Sequence, residues 1–221
     1  DCFTRELKDG ARPIAQDVDA MTSPVDAIIG ASGPIEGTRV FQAKGFRYTL
    51  EDLLGPDADV SEWRDGSFVT LRLTSSMYHR FHAPHHCTVD EVRYFSGDTW
   101  NGNPIALKRA ENLFCKNERA FIGTRLNGPG PLQGQRVALV PVAAVLVASI
   151  RLHFLDVLFH LKYTGPKKIA CNASFERGQE MGWFQHGSTV IVLAPKGFVL
   201  DAGLEQGSRV RMGQPLLRWQ S

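Results

Sequence analysis

Only four cysteines occur in this 221-residue chain, and Cys2, Cys87, Cys115 and Cys171 stand far apart with no C-x-x-C pair. That spacing excludes the dense disulfide framework of a small secreted domain and fits a reducing compartment. Charge of one sign is lacking too: 25 Lys and Arg face 23 Asp and Glu, for a formal net charge of +2. Such a balance marks no polyanion-binding surface, so nucleic acid is not an expected partner. No apolar run reaches the roughly 20 residues of a membrane-spanning helix. The longest, residues 137–150, is interrupted by Pro141 and reads as a buried strand pair. Internal repeats, low-complexity tracts and long linkers are also missing. The chain begins at Asp1 with no basic-then-apolar leader, the expectation for a trimmed product, and a membrane anchor can lie outside it.

What is present is a chain with 43% hydrophobic residues, in which 21 Gly and 12 Pro punctuate short apolar runs. That texture predicts a mainly β protein with a few short helices, large enough to bury its core as one domain. Phe68, Thr70, Arg72 and Thr74 alternate with Val69, Leu71 and Leu73, as in a strand with one buried face. Tyr48 to Gly55 reads as a short helix capped by Thr49 and stopped by Gly55. Residues 152–161 are apolar, and Leu155, Leu158, Phe159 and Leu161 fit one helical face, for core, interface or lipid. Residues 162–172 read as a polar turn, and Asn117-Glu118-Arg119 as a surface salt-bridged turn or a headgroup site.

Three places offer chemistry. Gly187-Ser188-Thr189 enters the β-branched run Val190-Ile191-Val192-Leu193, and by itself the Gly-Ser pair is a turn at the mouth of a buried strand. Asp26, in Ser23-Pro24-Val25-Asp26, is a turn or capping residue at a strand entrance. His79, His82, His85 and His86 lie within eight residues of one another. They can move protons near neutral pH, bind zinc with a ligand from elsewhere, or simply pack. His85 and His86 are expected to face solvent.

Taken together, these stretches resemble the phosphatidylserine decarboxylase family. The likeness is carried in order by Phe3-x-Arg5-x-Leu7 with Arg12-Pro13, by Ser23-Pro24-x-Asp26, and by Tyr78-His79-Arg80-x-His82-x-Pro84. It continues through Gly97-Asp98, Leu113-Phe114-x-x-Asn117-Glu118-Arg119, the acidic lead-in to Gly187-Ser188-Thr189, and Met212-Gly213-Gln214-Pro215-Leu216. Ala27, Ala143 and Ala148 stand where that family usually has glycine.

The resemblance implies β-sandwich or barrel-sandwich-like lobes in one compact domain over residues 1–221. It implies a zymogen that cuts itself between Gly187 and Ser188, giving a long chain of residues 1–187 and a short chain of residues 188–221. Asp26, His82 and Ser188 would form the self-cleavage triad, and Ser188 would become a covalent pyruvoyl cofactor. His79 would donate a proton during decarboxylation, and no metal is called for. The implied reaction turns phosphatidylserine into phosphatidylethanolamine at a membrane surface, on an organelle or a bacterial cytoplasmic membrane. The two cleaved chains would stay together as a heterodimer, with homodimerisation open. Readings that stay open are a pyruvoyl-dependent decarboxylase of a soluble, for instance aromatic, amino acid, a His-ligated metal hydrolase, and a non-catalytic β-sandwich binding module.

Overall fold

The computed structural model describes residues 5–43, 46–144, 149–184 and 188–220. Strands β1 (Ala20–Thr22), β2 (Ala27–Pro34), β3 (Arg39–Ala43) and β4 (Phe46–Thr49) lead to helix α1 (Leu50–Leu54). Strands β5 (Ser67–Arg72), β6 (Arg80–His82) and β7 (Cys87–Phe95) come next, then the short helices α2 (Pro104–Leu107) and α3 (Leu113–Lys116). β8 (Arg119–Leu126), β9 (Arg136–Ala143), β10 (Ser149–Leu152), β11 (Val157–His160) and β12 (Lys168–Phe175) follow. The chain ends in β13 (Glu180–Phe184), β14 (Ser188–Ala194), β15 (Phe198–Leu200), β16 (Arg209–Val210) and β17 (Pro215–Trp219).

The mainly β expectation holds. An eight-stranded sheet in the order β12-β7-β8-β9-β14-β5-β2-β16 forms the backbone of the fold. A four-stranded sheet, β11-β10-β13-β6, and a three-stranded one, β1-β17-β15, share a core with one face of it. The hairpin β3-β4 and the three helices cover the other face. Among the described residues no helix is long and apolar enough to cross a membrane.

β14 shows why the large sheet is central. Its side chains alternate, so Val190, Val192 and Ala194 enter the core shared with the smaller sheets. Ile191 and Leu193 enter the core under the helices. Burying such a side chain contributes roughly 1.5–3 kcal/mol, and β-branched residues suit a pleat that is packed on both sides. β5 behaves in the same way, with Val69 and Leu71 on one side and Phe68 on the other. The expected single buried face is therefore corrected: helices pack on what sequence alternation left as a solvent face.

The helix at α1 forms as its caps dictate. The Thr49 hydroxyl accepts from the Asp52 N–H, the Asp52 carboxylate accepts from the Thr49 N–H, and Gly55 closes the helix at φ 92°.

Four other expectations change. The apolar run at 137–150 does hold two strands, but β9 pairs with β8 and β14 whereas β10 pairs with β11 and β13, so the two belong to different sheets. Residues 152–161 form no helix; a 3₁₀ turn at His153–Leu155 links β10 to β11, with Phe159 buried and Leu161 exposed. Lys168 onward is the edge strand β12 and not a turn. Asn117, Glu118 and Arg119 are buried. Arg119 donates to the carbonyls of Asp52, Leu53, Cys115 and Asn117 and so pins α1 to α3, while its guanidinium lies 4.5 Å over the Phe95 ring.

Candidate active site

Ser188 is the first residue of β14, and the ladder fixes it from both sides. Its carbonyl accepts from the Leu73 N–H at 2.9 Å, and it stands opposite Ala143 of β9. The residue is 3% exposed. Its Oγ has no hydrogen-bond partner among the described residues. A buried hydroxyl without a partner costs on the order of 1–3 kcal/mol, so the fold keeps it at a price in stability. Gly187, the other half of the expected cleavage bond, lies outside the described residues, as does Ala148.

The floor beside Ser188 is polar and buried. The Asn117 side-chain amide donates to the carbonyls of Trp100 and Ala143, and the Glu118 carbonyl accepts from the Ala143 N–H. The Tyr94 hydroxyl donates to Glu118 Oε1 at 2.6 Å. Burial raises the Glu118 carboxyl pKa above its ordinary value, and the Tyr94 bond only partly opposes this. A carboxyl whose folded pKa is raised gives stability that is present below its unfolded pKa and lost as pH rises through the folded one. Thermal melts across the acid-to-neutral range should therefore move in favour of Glu118→Gln over wild type as pH rises. A difference that stays constant with pH would show that Glu118 does not titrate there.

His82, at the end of β6, is buried and held by both ring nitrogens. Nδ1 bonds the Gly178 carbonyl at 2.8 Å, so it carries the proton, and Nε2 is left to accept from the Tyr78 hydroxyl at 2.8 Å. Burial lowers the His82 pKa below the usual histidine value and keeps the ring neutral at neutral pH, the form a general base needs. His79 is fully buried just before β6. Its Nδ1 bonds the Met77 carbonyl at 2.8 Å, and its own carbonyl accepts from the Phe184 N–H, four residues before Ser188.

Asp26 precedes β2 at the same end of the large sheet. Its Oδ1 accepts from Arg12 Nε and from the Met212 N–H, each at 2.9 Å, and its Oδ2 from Arg12 Nη2. Among the described residues no hydrogen bond joins Asp26 to His82, or His82 to Ser188. Asp26 and Ser188 thus lie at one end of the large sheet, His82 is tied beside Asp26 through its N–H to the Pro24 carbonyl, and of the three side chains only Ser188 Oγ has no partner among the described residues.

Arg12 and Tyr78 are the residues that sequence reasoning missed. Both stood inside the quoted motifs, Arg12 beside Pro13 and Tyr78 ahead of the two histidines. His85, expected at the surface, is buried, with its Nδ1 near the His86 carbonyl. His86 is half-exposed and pairs with Glu176. The histidine row therefore splits three ways, because β6 and the turn after it send successive rings to different surroundings.

A strand-bound serine with an orphaned hydroxyl and two separately anchored, buried histidines is the equipment of an acyl-shift or proton-transfer enzyme. Comparison with known proteins agrees. The family model described as phosphatidylserine decarboxylase matches residues 1–218. A phosphatidylserine decarboxylase proenzyme of Aliivibrio fischeri (strain ATCC 700601 / ES114) is 37% identical, over 96% of this chain and 75% of the relative. One of Shewanella frigidimarina is 38% identical, over 98% and 76%. One of Marinobacter nauticus is 39% identical, over 89% and 68%. The chain belongs to the phosphatidylserine decarboxylase family. It is thus a carboxy-lyase, and the metal-hydrolase and binding-module readings fall away.

Proposed function

We propose that the chain cuts itself between Gly187 and Ser188 and then decarboxylates phosphatidylserine to phosphatidylethanolamine, using a pyruvoyl group made from Ser188. The observation that carries this is the buried Ser188 hydroxyl, unpartnered among the described residues at the head of a strand locked between β9 and β5. Those residues fit the group: β14 keeps residue 188 in register after its upstream bond is gone. A pyruvoyl group there supplies a carbonyl that takes up the electron pair left as carbon dioxide departs.

In self-cleavage, His82 takes the Ser188 Oγ proton and the oxygen attacks the Gly187 carbonyl carbon, so the acyl group moves from nitrogen to oxygen. Elimination then frees residues 1–187 with a new carboxylate, and hydrolysis of the dehydroalanyl residue left at 188 releases ammonia. Positioning the nucleophile within its own chain is worth on the order of 7–11 kcal/mol over a bimolecular attack. Nε2 of His82 is occupied by Tyr78, so Tyr78 must yield that position or pass the proton on. Asp26 orients His82 only on turning from Arg12; in its absence the Gly178 carbonyl aligns the ring. His79 returns a proton to the substrate carbon after carbon dioxide leaves.

The short chain would stay bound, because β14, β16 and β17 are each built into sheets with strands of the long chain. Peripheral contact with a membrane is supported by Trp100, exposed at 56% on the loop that holds Gly102, and by Ile105, exposed at 62% on α2 just after it. A Cβ on Gly102 would sit 3.4 Å from Thr189 Oγ1, which puts that loop beside the reacting residue. Exposed aromatic and aliphatic side chains suit a lipid interface.

The test is an intact-mass spectrum of the denatured protein together with carbon dioxide release from phosphatidylserine vesicles. Two fragments, the smaller starting in a carbonyl, with release of carbon dioxide, are expected. A single uncut chain with no turnover on prolonged incubation would overturn the reading.

A further inference from the structure

Beside the site, the N-terminal segment, the start of β2, the connection from β5 to β6 and the turn after β16 enclose a cleft of about 410 Å³. Arg5, Arg12, Arg209 and Arg211 line it, with Asp26 the one carboxylate among the lining residues. Four guanidinium groups drawn together are conspicuous in a chain whose formal net charge is only +2. Like charges repel, and in a concave site their field is focused outward on any anion that enters.

Asp26 cannot neutralise the group. Both of its oxygens are taken by Arg12, and Oδ1 is shared with the Met212 N–H. Arg209 and Arg211 have exposed side chains and form no ion pair among the described residues. Arg5 reaches the same wall by donating to the Ser76 carbonyl. The hydroxyls of Thr74 and Ser76 line the cleft as further donors. Planar guanidinium forks flanked by hydroxyls match the oxygens of a phosphate better than those of any neutral ligand.

Strand register separates the Arg209 end of this cleft from the reacting residue. Thr189 stands opposite Arg72, Arg72 opposite Ile28, and Ile28 opposite Arg209. Three strand spacings of about 4.8 Å put the Arg209 backbone roughly 14 Å from that of Thr189. A serine headgroup reacting at 188 has only a two-carbon link between its amine and its phosphate. The Arg209 and Arg211 end of the cleft therefore suits a second phosphate and not the one carried by the reacting substrate.

We propose that this cleft is an anion site for a phosphate group, of a neighbouring lipid headgroup or of a soluble phosphate ester. Because Arg5 precedes the Gly187–Ser188 bond and Arg209 and Arg211 follow it, the bound anion also fastens the short chain to the long one.

The experiment compares the protein with an Arg209→Gln/Arg211→Gln variant and, as a charge-matched control elsewhere on the surface, Arg64→Gln/Arg125→Gln. One arm follows ³¹P line-broadening of glycerol 3-phosphate; the other measures co-sedimentation with phosphatidylcholine vesicles doped with phosphatidylglycerol. Saturable binding of glycerol 3-phosphate, weakened by added salt and roughly tenfold or more weaker in the first variant only, is expected from the loss of charge-assisted bonds. Vesicle binding that falls in parallel would assign the phosphate to a lipid; vesicle binding that stays equal would assign it to a soluble ester. No saturable binding by the unmodified protein, or equal binding by both variants, would overturn the site.

Discussion

A Ser188→Ala chain stays whole, shows one mass for all 221 residues, carries no reactive carbonyl and releases carbon dioxide from phosphatidylserine only at the uncatalysed background. On the proposed route the effect is total because the Ser188 hydroxyl is needed twice, first as the nucleophile toward Gly187 and then as the ester oxygen that leaves in the new carboxylate, an elimination without which no dehydroalanyl residue forms for water to convert to pyruvoyl. Neither role has a substitute nearby: Thr189 follows on the same strand, but its carbonyl neighbour is a different peptide bond. Loss of function of this size usually raises the objection that the protein has unfolded. Here the structure argues the reverse. The ladder around residue 188 uses its backbone, through Leu73 and the pairing with Ala143, and leaves the hydroxyl without a partner among the described residues. Replacing an unsatisfied buried hydroxyl by hydrogen removes a desolvation penalty of order 1 kcal/mol, so the melting temperature should hold or rise. A variant that melts well below wild type would mean that Oγ has a structural partner, and one that still cleaves would remove Ser188 from the chemistry.

How much of this was readable beforehand depends on which physical signal each residue leaves. β14 was legible because four β-branched or aliphatic residues in a row can be satisfied only by burial on both sides, which two cores provide. The same reasoning failed at residues 152–161, where a short apolar run fits helix and strand alike. What decided there was cross-strand pairing with β13, a contact no local window contains. β12 was missed for the opposite reason. Ile169, Cys171, Ala173 and Phe175 alternate with the exposed Lys168, Ala170, Asn172 and Ser174 in a clean period of two, but the small residues of its middle and the lysines before them made the segment look like a turn.

The site divides along similar lines. Asp26, His79, His82 and Ser188 came from motif order; Asp26 stands just before β2, Ser188 heads β14, and His79 and His82 flank the start and end of β6. Their immediate partners did not follow from it. The Arg12 to Asp26 bond joins a segment before the first strand to the mouth of β2, and attraction between unlike charges has no periodicity for a sequence to display. Buried Glu118 was hidden too, since a lone charged triplet reads as surface until Tyr94 and the neighbouring backbone are seen to enclose it.

The two histidines give the second large prediction, because they hold different anchors and so should fail differently. His82 sits between Tyr78 and Gly178, whereas His79 is fixed through Met77 and, by its backbone, to Phe184. A His79→Gln chain should therefore still cleave into residues 1–187 and 188–221, since glutamine can keep the bond to the Met77 carbonyl and leaves the His82 system untouched. Its turnover should nevertheless fall by about 10²- to 10⁴-fold, the usual cost of losing a general acid or base. Fragment masses and carbon dioxide release on the same sample separate the two effects, and a flattened pH dependence of the residual rate would mark the loss of a titrating proton donor. If cleavage and turnover are lost together in a folded variant, His79 belongs to self-processing. If turnover persists unchanged, another group protonates the carbon, and the division of labour between the two rings is wrong.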